Sequence, residues 1–482
     1  MPDLSPRRRL LVLAICCMSL LIVSLDSTVL NVALPSMRRE FDASVSGLQW
    51  TLDAYTLVLA SLLMLAGSTA DRIGRRKVFT AGLVLFTAGS LLCSLAPSLE
   101  WLIVFRMIQA VGGSMLNPVA MSIITNTFTD PGERARAIGA WGAVVGVSMA
   151  AGPLIGGALV DSVGWRSIFW VNLPIGLAAL ALTLRYVPES RAARPRRADP
   201  VGQLLVMTLL TTVTYGIIEA PSKGWTSPLI LGCAGLAVAA LVGLLVHEPR
   251  RAEPLIDPRF FRSAPFSGAT VIAVSAFAAL SGFLFLNTLY LQDVRGLDAL
   301  HAGLYMLPMA ALTFIFAPLS GRLVGSRGPR LPLLIAGVTM AASGVLFAAF
   351  SAESSTPLLF TGYVLFGLGF GMVNAPITNT AVSGMPRSQA GVAAAVASTS
   401  RQTGGTLGVA VIGAVLAAGT AGGGDFTGAA RPAWWVITGC GLVVLVVGAA
   451  TSGPWALATA DRTARTLEAH PGPARQPASR KR

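Results

Sequence analysis

Gly67-Ser68-Thr69-Ala70-Asp71-Arg72-Ile73-Gly74-Arg75-Arg76-Lys77 lies between two long apolar runs, and its reading decides the fold. An acid, a glycine turn and a basic cluster follow one another close to an apolar boundary. Basic residues gather in the short loops on the cytoplasmic side of a membrane, so this stretch reads as a connection between two membrane-crossing helices.

The bulk composition agrees. The chain has 482 residues, 54% hydrophobic and 12% charged, with a mean hydropathy of +0.68. Soluble domains carry roughly 25% charged residues, so this surface is solvated mainly by lipid. Apolar runs of roughly 20 residues, the length that crosses a bilayer, recur along the whole chain. Six centre near Leu21, Leu59, Phe86, Val111, Ser148 and Gly176, and two near Leu210 and Val238. The last six centre near Phe277, Thr313, Thr339, Gly369, Gly408 and Val444, the fifth of these interrupted by Arg401-Gln402. The expected fold class is an all-α polytopic membrane protein with fourteen helices.

The charges test that count. Loops and tails on the side of the N-terminus hold 27 of the 36 basic residues, and the opposite loops hold 6. This asymmetry predicts that both termini are cytoplasmic. It also accounts for the net charge of +14 without a nucleic-acid partner. Arg7-Arg8-Arg9 before an apolar run imitates a signal peptide, but Asp26 and Pro35 inside that run, and no clean small-x-small site after it, read as a retained helix. Cys16, Cys17, Cys93, Cys233 and Cys440 all fall in apolar runs, and neither they nor the three histidines form a metal-type spacing, so no metal is expected. No Gly-x-x-x-x-Gly-Lys-Ser/Thr phosphate loop is present to make ATP the direct energy source.

The loop after helix 2, Gly67-x-x-x-Asp71-Arg72-x-Gly74-Arg75, has a diverged echo after helix 10 in Gly321-x-x-x-Gly325-x-Arg327-Gly328-Pro329-Arg330. Two six-helix halves separated by an inserted pair, 6 + 2 + 6, follow from that echo. Repeats around a central cavity are the usual build of secondary transporters. The expected organisation is a tail over 1–9, a bundle over 10–187, linkers with two inserted helices over 188–263, a second bundle over 264–460 and a disordered tail over 461–482.

Asp26 and Asp53 read as the only acids deep in apolar spans, and both lie in the first half. A carboxylate in a span costs at least about 2.5 kcal/mol, so such residues usually face a cavity. The expectation is that both face one aqueous pocket and hold a proton or a cationic substrate alternately. A structural hydrogen-bonding role is the alternative for each. Arg106, within helix 4, is costly unless paired or wetted. Asp71 can cap a facing helix N-terminus or pair with Arg75, a contact that breaks or forms as the halves rock. Asn31, Trp50, Tyr55 and Gln109 are candidates to bind substrate. Asn117, Asn287, Asn374 and Asn379 could line the same cavity, and helix–helix hydrogen bonding fits such residues equally well. The glycines and Pro153 of helix 5, Gly146, Gly152, Gly156 and Gly157 among them, permit close packing and a bend.

These motifs together resemble the major facilitator superfamily, in its fourteen-helix drug:proton antiporter branch. The superfamily loop signature is matched at Gly67, Asp71, Arg72, Gly74, Arg75 and Arg76. The helix 1 signature of the branch is matched by Leu25-Asp26-Ser27-Thr28-Val29-Leu30-Asn31-Val32-Ala33-Leu34-Pro35. Helix 4 matches through Arg106-x-x-Gln109 and Gly112-Gly113, with Ala110 where the family often has glycine. Helix 5 matches with Gly146, Gly152-Pro153 and Gly156-Gly157, and Trp165-Arg166-x-Ile168-Phe169-x-x-Asn172-x-Pro174 continues the pattern. The resemblance implies export of lipophilic drugs or antibiotics in exchange for protons, with Asp26, Asp53 and Arg106 in coupling and the helix 5 glycines as the antiporter hinge. It implies no cofactor beyond the proton motive force. The implied partners are a small lipophilic molecule, cationic or neutral, protons and the bilayer. The expected particle is a monomer in the bacterial plasma (inner) membrane.

A proton-coupled transporter of a small metabolite or siderophore is the alternative on the same scaffold. An enzyme is not expected, because the Tyr-Asp and Gly-x-Gly-Asp patterns of intramembrane aspartyl proteases are missing at both acids.

Overall fold

The computed structural model describes residues 5–192, 199–251, 253–351, 353–383, 385, 389–421 and 425–469. Fourteen of its helices are long and apolar enough to cross a membrane. In the first half these are α1 Pro6–Phe41, α2 Val45–Ile73, α3 Arg75–Ser94, α4 Leu99–Thr127, α5 Gly132–Ser162 and α6 Ser167–Tyr186. The inserted pair is α7 Pro200–Lys223 and α8 Pro228–Arg250. The second half holds α9 Ala264–Val294, α10 Ala299–Arg327, α11 Arg330–Ala348, α12 Thr356–Val382, α13 Val392–Thr420 and α14 Phe426–Thr451. No strand occurs among the described residues.

Local chemistry sets many of the boundaries. Ser44, Asp130, Asp199, Ser227, Ser263, Asp298 and Asp425 each accept a hydrogen bond from a backbone N–H in the first turn of the helix that follows. Gly74 and Gly328 end α2 and α10 at φ +125° and +80°, a backbone region open mainly to glycine. The two halves therefore turn with the same chemistry at the same place in the repeat.

Packing repeats as well. In the first half α1 packs against α5, α2 against α4, and α3 against α4 and α6. In the second half α9 packs against α13, α10 against α12, and α11 against α12 and α14. The halves meet where α5 lies along α10 and where α2 lies along α13. Helix α7 leans on both α2 and α13, whereas α8 packs mainly on α7. Leu231, Val238 and Leu245 of α8 are each more than half exposed, as a lipid-facing surface requires.

The side of the membrane where α1 begins is called the N-side here, and the other the far side. Contacts between the halves concentrate on the far side. Asp161 of α5 accepts from the backbone N–H of Ala299 and Leu300 at 3.2 and 2.8 Å. Gln49 of α2 donates to the carbonyls of Val409 and Ala410 at 3.1 and 2.8 Å. A π-helical turn at Tyr290–Val294 carries Gln292 to the Val32 carbonyl at 2.8 Å and Asp293 to Arg38 at 3.3 Å. A side chain on Gly157 would sit 2.5 Å from the Leu300 Cα, and one on Gly303 would overlap the Pro153 carbonyl. Further toward the N-side on the same two helices, Gly139, Gly142, Gly321 and Gly325 have open space beside them. The far side is sealed and the N-side is parted.

Three expectations need correction. Helix α1 begins at Pro6 rather than after Arg9, because Ser5 caps it and proline suits a first helical turn. Arg9 then pairs with Glu133 at 2.6 Å. Helix α13 runs without a break through Arg401-Gln402. The expected disordered tail starts too early: Pro454–Ala469 is a further helix, α15, whose Ala456, Ala460, Thr463 and Leu467 are buried while Trp455 and Leu457 are exposed. Its low mean hydropathy hid that amphipathic pattern. Residues 1–4, 193–198 and 470–482 of the expected tails and linker lie outside the described residues.

Candidate functional site

Five helices of the first half converge on Asp26. Arg106 of α4 donates through Nη1 to Asp26 Oδ2 at 2.5 Å and to Gln109 Oε1 at 2.7 Å. Gln109 Nε2 donates to Asp26 Oδ1 at 2.8 Å and to Ser90 Oγ of α3 at 2.7 Å. Asn172 of α6 donates to the same Asp26 oxygen and to Ser90, both at 3.0 Å. From α2, the Tyr55 ring lies 4.2 Å from the guanidinium carbon of Arg106, and the Thr51 carbonyl accepts from Arg106 Nε at 3.4 Å. The Asp26 and Arg106 side chains are 2% and 1% exposed. Every neighbour of Asp26 in this network donates to it, so the cluster is built around a carboxylate. A buried pair of this kind survives desolvation because its remaining donors and acceptors are satisfied.

Asp53 stands elsewhere. It is fully buried, Thr56 donates to its Oδ1 at 3.5 Å, and its Oδ2 has no hydrogen-bond partner among the described residues. Gln49, Asp53 and Thr56 share one face of α2 at helical spacing. That face meets α13, where Thr406 donates to Thr56 at 2.9 Å and Gln49 reaches the backbone one turn further toward the far side. Thr51 and Tyr55 occupy the opposite face and touch Arg106. The expectation of one shared aqueous pocket is therefore wrong: both acids are buried, on opposite faces of α2. Hydropathy alone could not assign those faces, because both sides of α2 are covered by protein.

A narrow pocket does lie between the halves. Asn31, Met149, Pro153, Leu284, Met306 and Met309 line it, bringing α1 and α5 together with α9 and α10. Of the four residues expected to bind substrate, Asn31 is at this pocket. Tyr55 and Gln109 belong to the Asp26 cluster instead. Trp50 donates to Glu219 Oε1 of α7 at 2.8 Å, with its ring 5.9 Å from Tyr215. Glu219, in the last turn of α7, also pairs with Lys223 at 3.2 Å and is 15% exposed. Ser90 is an addition that motif reading did not single out, and Asn172, quoted in the Trp165–Pro174 motif, has no role assigned there. A polar residue in an otherwise apolar helix was the available signal for both.

The helix 5 residues divide between two partners. A Cβ on Gly152 would overlap Thr28, and one on Gly156 would meet Val29 at 3.0 Å, so these two seat α5 on α1. Gly157 and Pro153 face α10, and a Cβ on Gly146 would come 3.1 Å from Phe314 of that helix. In the loop between α2 and α3, Arg75 donates to Asp71 through Nη2 at 2.7 Å and Nε at 3.1 Å. The segment after α6 closes over it: Arg75 N–H donates to the Ser190 carbonyl at 2.9 Å, and Ala192 N–H to the Asp71 carbonyl at 3.1 Å. The Glu189 carboxylate occupies the space a Gly74 side chain would need. Gly67 approaches Pro118 of α4, and Arg72 is exposed.

Two pseudo-symmetric bundles joined at two helix pairs, with a buried ion pair in one of them, define a transporter scaffold of the alternating type. The Major Facilitator Superfamily model matches residues 16–409, and the chain belongs to that family. Its sequence is 40% identical to the multidrug resistance protein Stp of Mycobacterium tuberculosis, over 86% of this chain and 76% of that one. It is 37% identical to the tetracenomycin C resistance and export protein of Streptomyces glaucescens, over 82% and 74%. The drug efflux pump JefA of Mycobacterium tuberculosis is 36% identical over 86% and 82%. The fold matches a solved bacterial homologue of the human lysosomal transporter Spinster with a TM-score of 0.62, at 19% identity, over 97% and 99% of the chains. The chain is thus a multi-pass bacterial membrane protein of a transporter family.

Proposed function

We propose that the protein exports lipophilic drugs or antibiotics, cationic or neutral, across the bacterial plasma membrane in exchange for protons. The observation that carries this reading is the position of α2, which touches Arg106 on one face and presents Asp53 to the other half on the opposite face. Any rocking of the halves must change what surrounds Asp53. With both termini cytoplasmic, as the basic loops favour, the parted N-side faces the cytoplasm. In this form the Asp26 cluster is a complete ion pair, the Gln49 contacts cover Asp53 from outside, and the methionine-lined pocket lies against the far-side seal, at the inner end of the path from the parted N-side. Flexible thioethers suit a pocket that accepts varied apolar molecules.

On reversal, α2 and α13 part at the far side, Asp53 loses the Thr406–Thr56 chain, and an external proton reaches it. Protonation removes a buried charge, and the halves close around a neutral acid. The ion pair of Asp26 and Arg106 then answers the change through Thr51 and Tyr55. Asp71–Arg75 and the helix 5 glycines are the switch contact and the hinge in this scheme. The proton motive force supplies about 2.3 kcal/mol per charge per 100 mV from its electrical part. No cofactor is needed, and one chain carries both halves, so the working unit is a monomer.

Inside-out vesicles given an imposed pH gradient should accumulate the lipophilic cation rhodamine 6G, and an uncoupler should abolish that accumulation. Accumulation indifferent to the gradient would reject proton coupling.

A further inference from the structure

Helices α5 and α13 carry the same register in the two halves. Ser148-Met149-x-x-Gly152-x-x-x-Gly156 in α5 corresponds to Ser400-Arg401-x-x-Gly404-x-x-x-Gly408 in α13. The correspondence is structural as well as sequential. Ser148 and Ser400 are both buried and donate to the carbonyl four residues back, at 2.9 and 2.8 Å. Gly152 and Gly156 seat α5 on α1, and Gly404 and Gly408 seat α13 on α9 against Val274 and Ala278. Each helix therefore packs on the first helix of its own half in the same rotation. Met149 lines the pocket between the halves, and Arg401 occupies the equivalent register position on α13, where it reaches Thr378 of α12 and Phe277 of α9.

The surroundings of Arg401 are not those of a structural arginine. Arg106, the other arginine deep in a span, has a carboxylate and an amide against its guanidinium. Arg401 has no carboxylate partner among the described residues. Its Nη2 donates to Thr378 Oγ1 of α12 at 2.5 Å, and its Nε is buried without a hydrogen-bond partner. Phe277 of α9 lies with its ring centroid 6.0 Å from the guanidinium carbon and stacks edge-on with Phe370 at 5.2 Å. An intramembrane cation left without a counter-charge marks a place where a ligand completes the site. A guanidinium offers a planar fork of donors suited to oxygen acceptors, and the two phenylalanines offer an aromatic wall.

We propose that Arg401 is a substrate-binding residue of the second half, taking an electron-rich oxygen (carbonyl, phenolate or carboxylate) of an aromatic molecule that lies against Phe277. This rests on the drug-export reading above and extends its substrate class from cationic and neutral molecules to oxygen-rich aromatic ones, including anions. The two halves then divide the chemistry: acids in the first handle the proton, and a free cation in the second holds the cargo.

Fluorescein and rhodamine 6G share a xanthene ring system but differ in sign of charge, and they make a direct test. Binding of each to the full-length purified protein is measured by fluorescence anisotropy for wild type, Arg401→Met and Arg401→Lys. The expected result is at least a tenfold loss of fluorescein affinity in Arg401→Met, partial recovery in Arg401→Lys, and rhodamine 6G affinity within twofold of wild type in both. Equal losses for the two dyes would assign Arg401 a structural role and overturn the proposal, as would unchanged fluorescein affinity or no fluorescein binding by wild type. Because binding is read without a gradient, its outcome is independent of proton coupling. Dye binding with the expected Arg401 dependence but no gradient-driven movement would instead fault the export reading.

Discussion

Removing Arg106 should expose how much the first bundle depends on its buried pair. In Arg106→Met a similar volume is kept, but the Asp26 carboxylate, 2% exposed, is left with two amide donors and no cation. Breaking a buried ion pair from one side costs about 3–5 kcal/mol, roughly a hundred- to several-thousand-fold in the folded-to-unfolded ratio. Removing both charges in Asp26→Leu with Arg106→Met takes away the uncompensated group, so most of that loss should return. The expected double-mutant coupling is about 3 kcal/mol. Unfolding of the purified protein in mixed detergent micelles, followed by tryptophan fluorescence, measures all four corners of the cycle. Additive losses, or a single Arg106→Met cost below about 1 kcal/mol, would refute the view that Asp26 is held as a carboxylate by this arginine.

Gln49→Ala removes two hydrogen bonds between the halves, worth about 0.5–1.5 kcal/mol each, and should shift the population toward far-side opening by several-fold to about a hundredfold. Spin labels at the far ends of α2 and α13 would report the longer distance. Gly157→Leu forces a side chain into the Leu300 backbone and should stop transport while leaving the fold intact, read as a normal thermal melt beside lost dye movement. Asp199 caps α7 outside the membrane. Burial raises its carboxyl, but hydrogen bonds from Gly202 and His247 and the charge of Arg251 outweigh that and hold it below the usual range. Its stabilisation is therefore present above the unfolded pKa of about 3.9 and is lost as pH falls through the lower folded value. Hydrogen exchange in the first turn of α7 should accelerate on such acidification in wild type, and Asp199→Asn should remove that dependence.

The fourteen spans were legible because a bilayer imposes one length on every crossing helix, and the basic loops repeat the alternation independently. The Asp26–Arg106 pairing was within reach for the same reason: an arginine in a span demands a partner, and Asp26 was at hand. The separation of Asp26 from Asp53 was not. In a helix packed on every side, the faces are set by which neighbours arrive, and residues far apart in sequence such as Thr406 and Asn172 decide that. Trp50 was misplaced for a related reason, since the inserted α7 brings Glu219 to it and nothing local in α2 announces that contact. Helix α15 escaped because an amphipathic helix is recognised by periodicity, not by mean hydropathy. The internal echo of the Gly67–Lys77 loop gave the repeat, yet the closer α5–α13 match emerged only when both glycine pairs were seen to seat on equivalent helices.

The account stands on one buried acid, Asp53, that exchanges a proton as the halves rock, and on the Asp26–Arg106 pair that answers it through α2. Inside-out vesicles with an acidified lumen and an external lipophilic cation allow this to be read as lumenal alkalinisation on addition of rhodamine 6G. Wild type should show cation-evoked proton efflux, Asp53→Asn should abolish it while still binding the dye, and Asp26→Asn should reduce it at least tenfold. Full cation-evoked proton efflux from the double variant Asp26→Asn, Asp53→Asn would contradict the account.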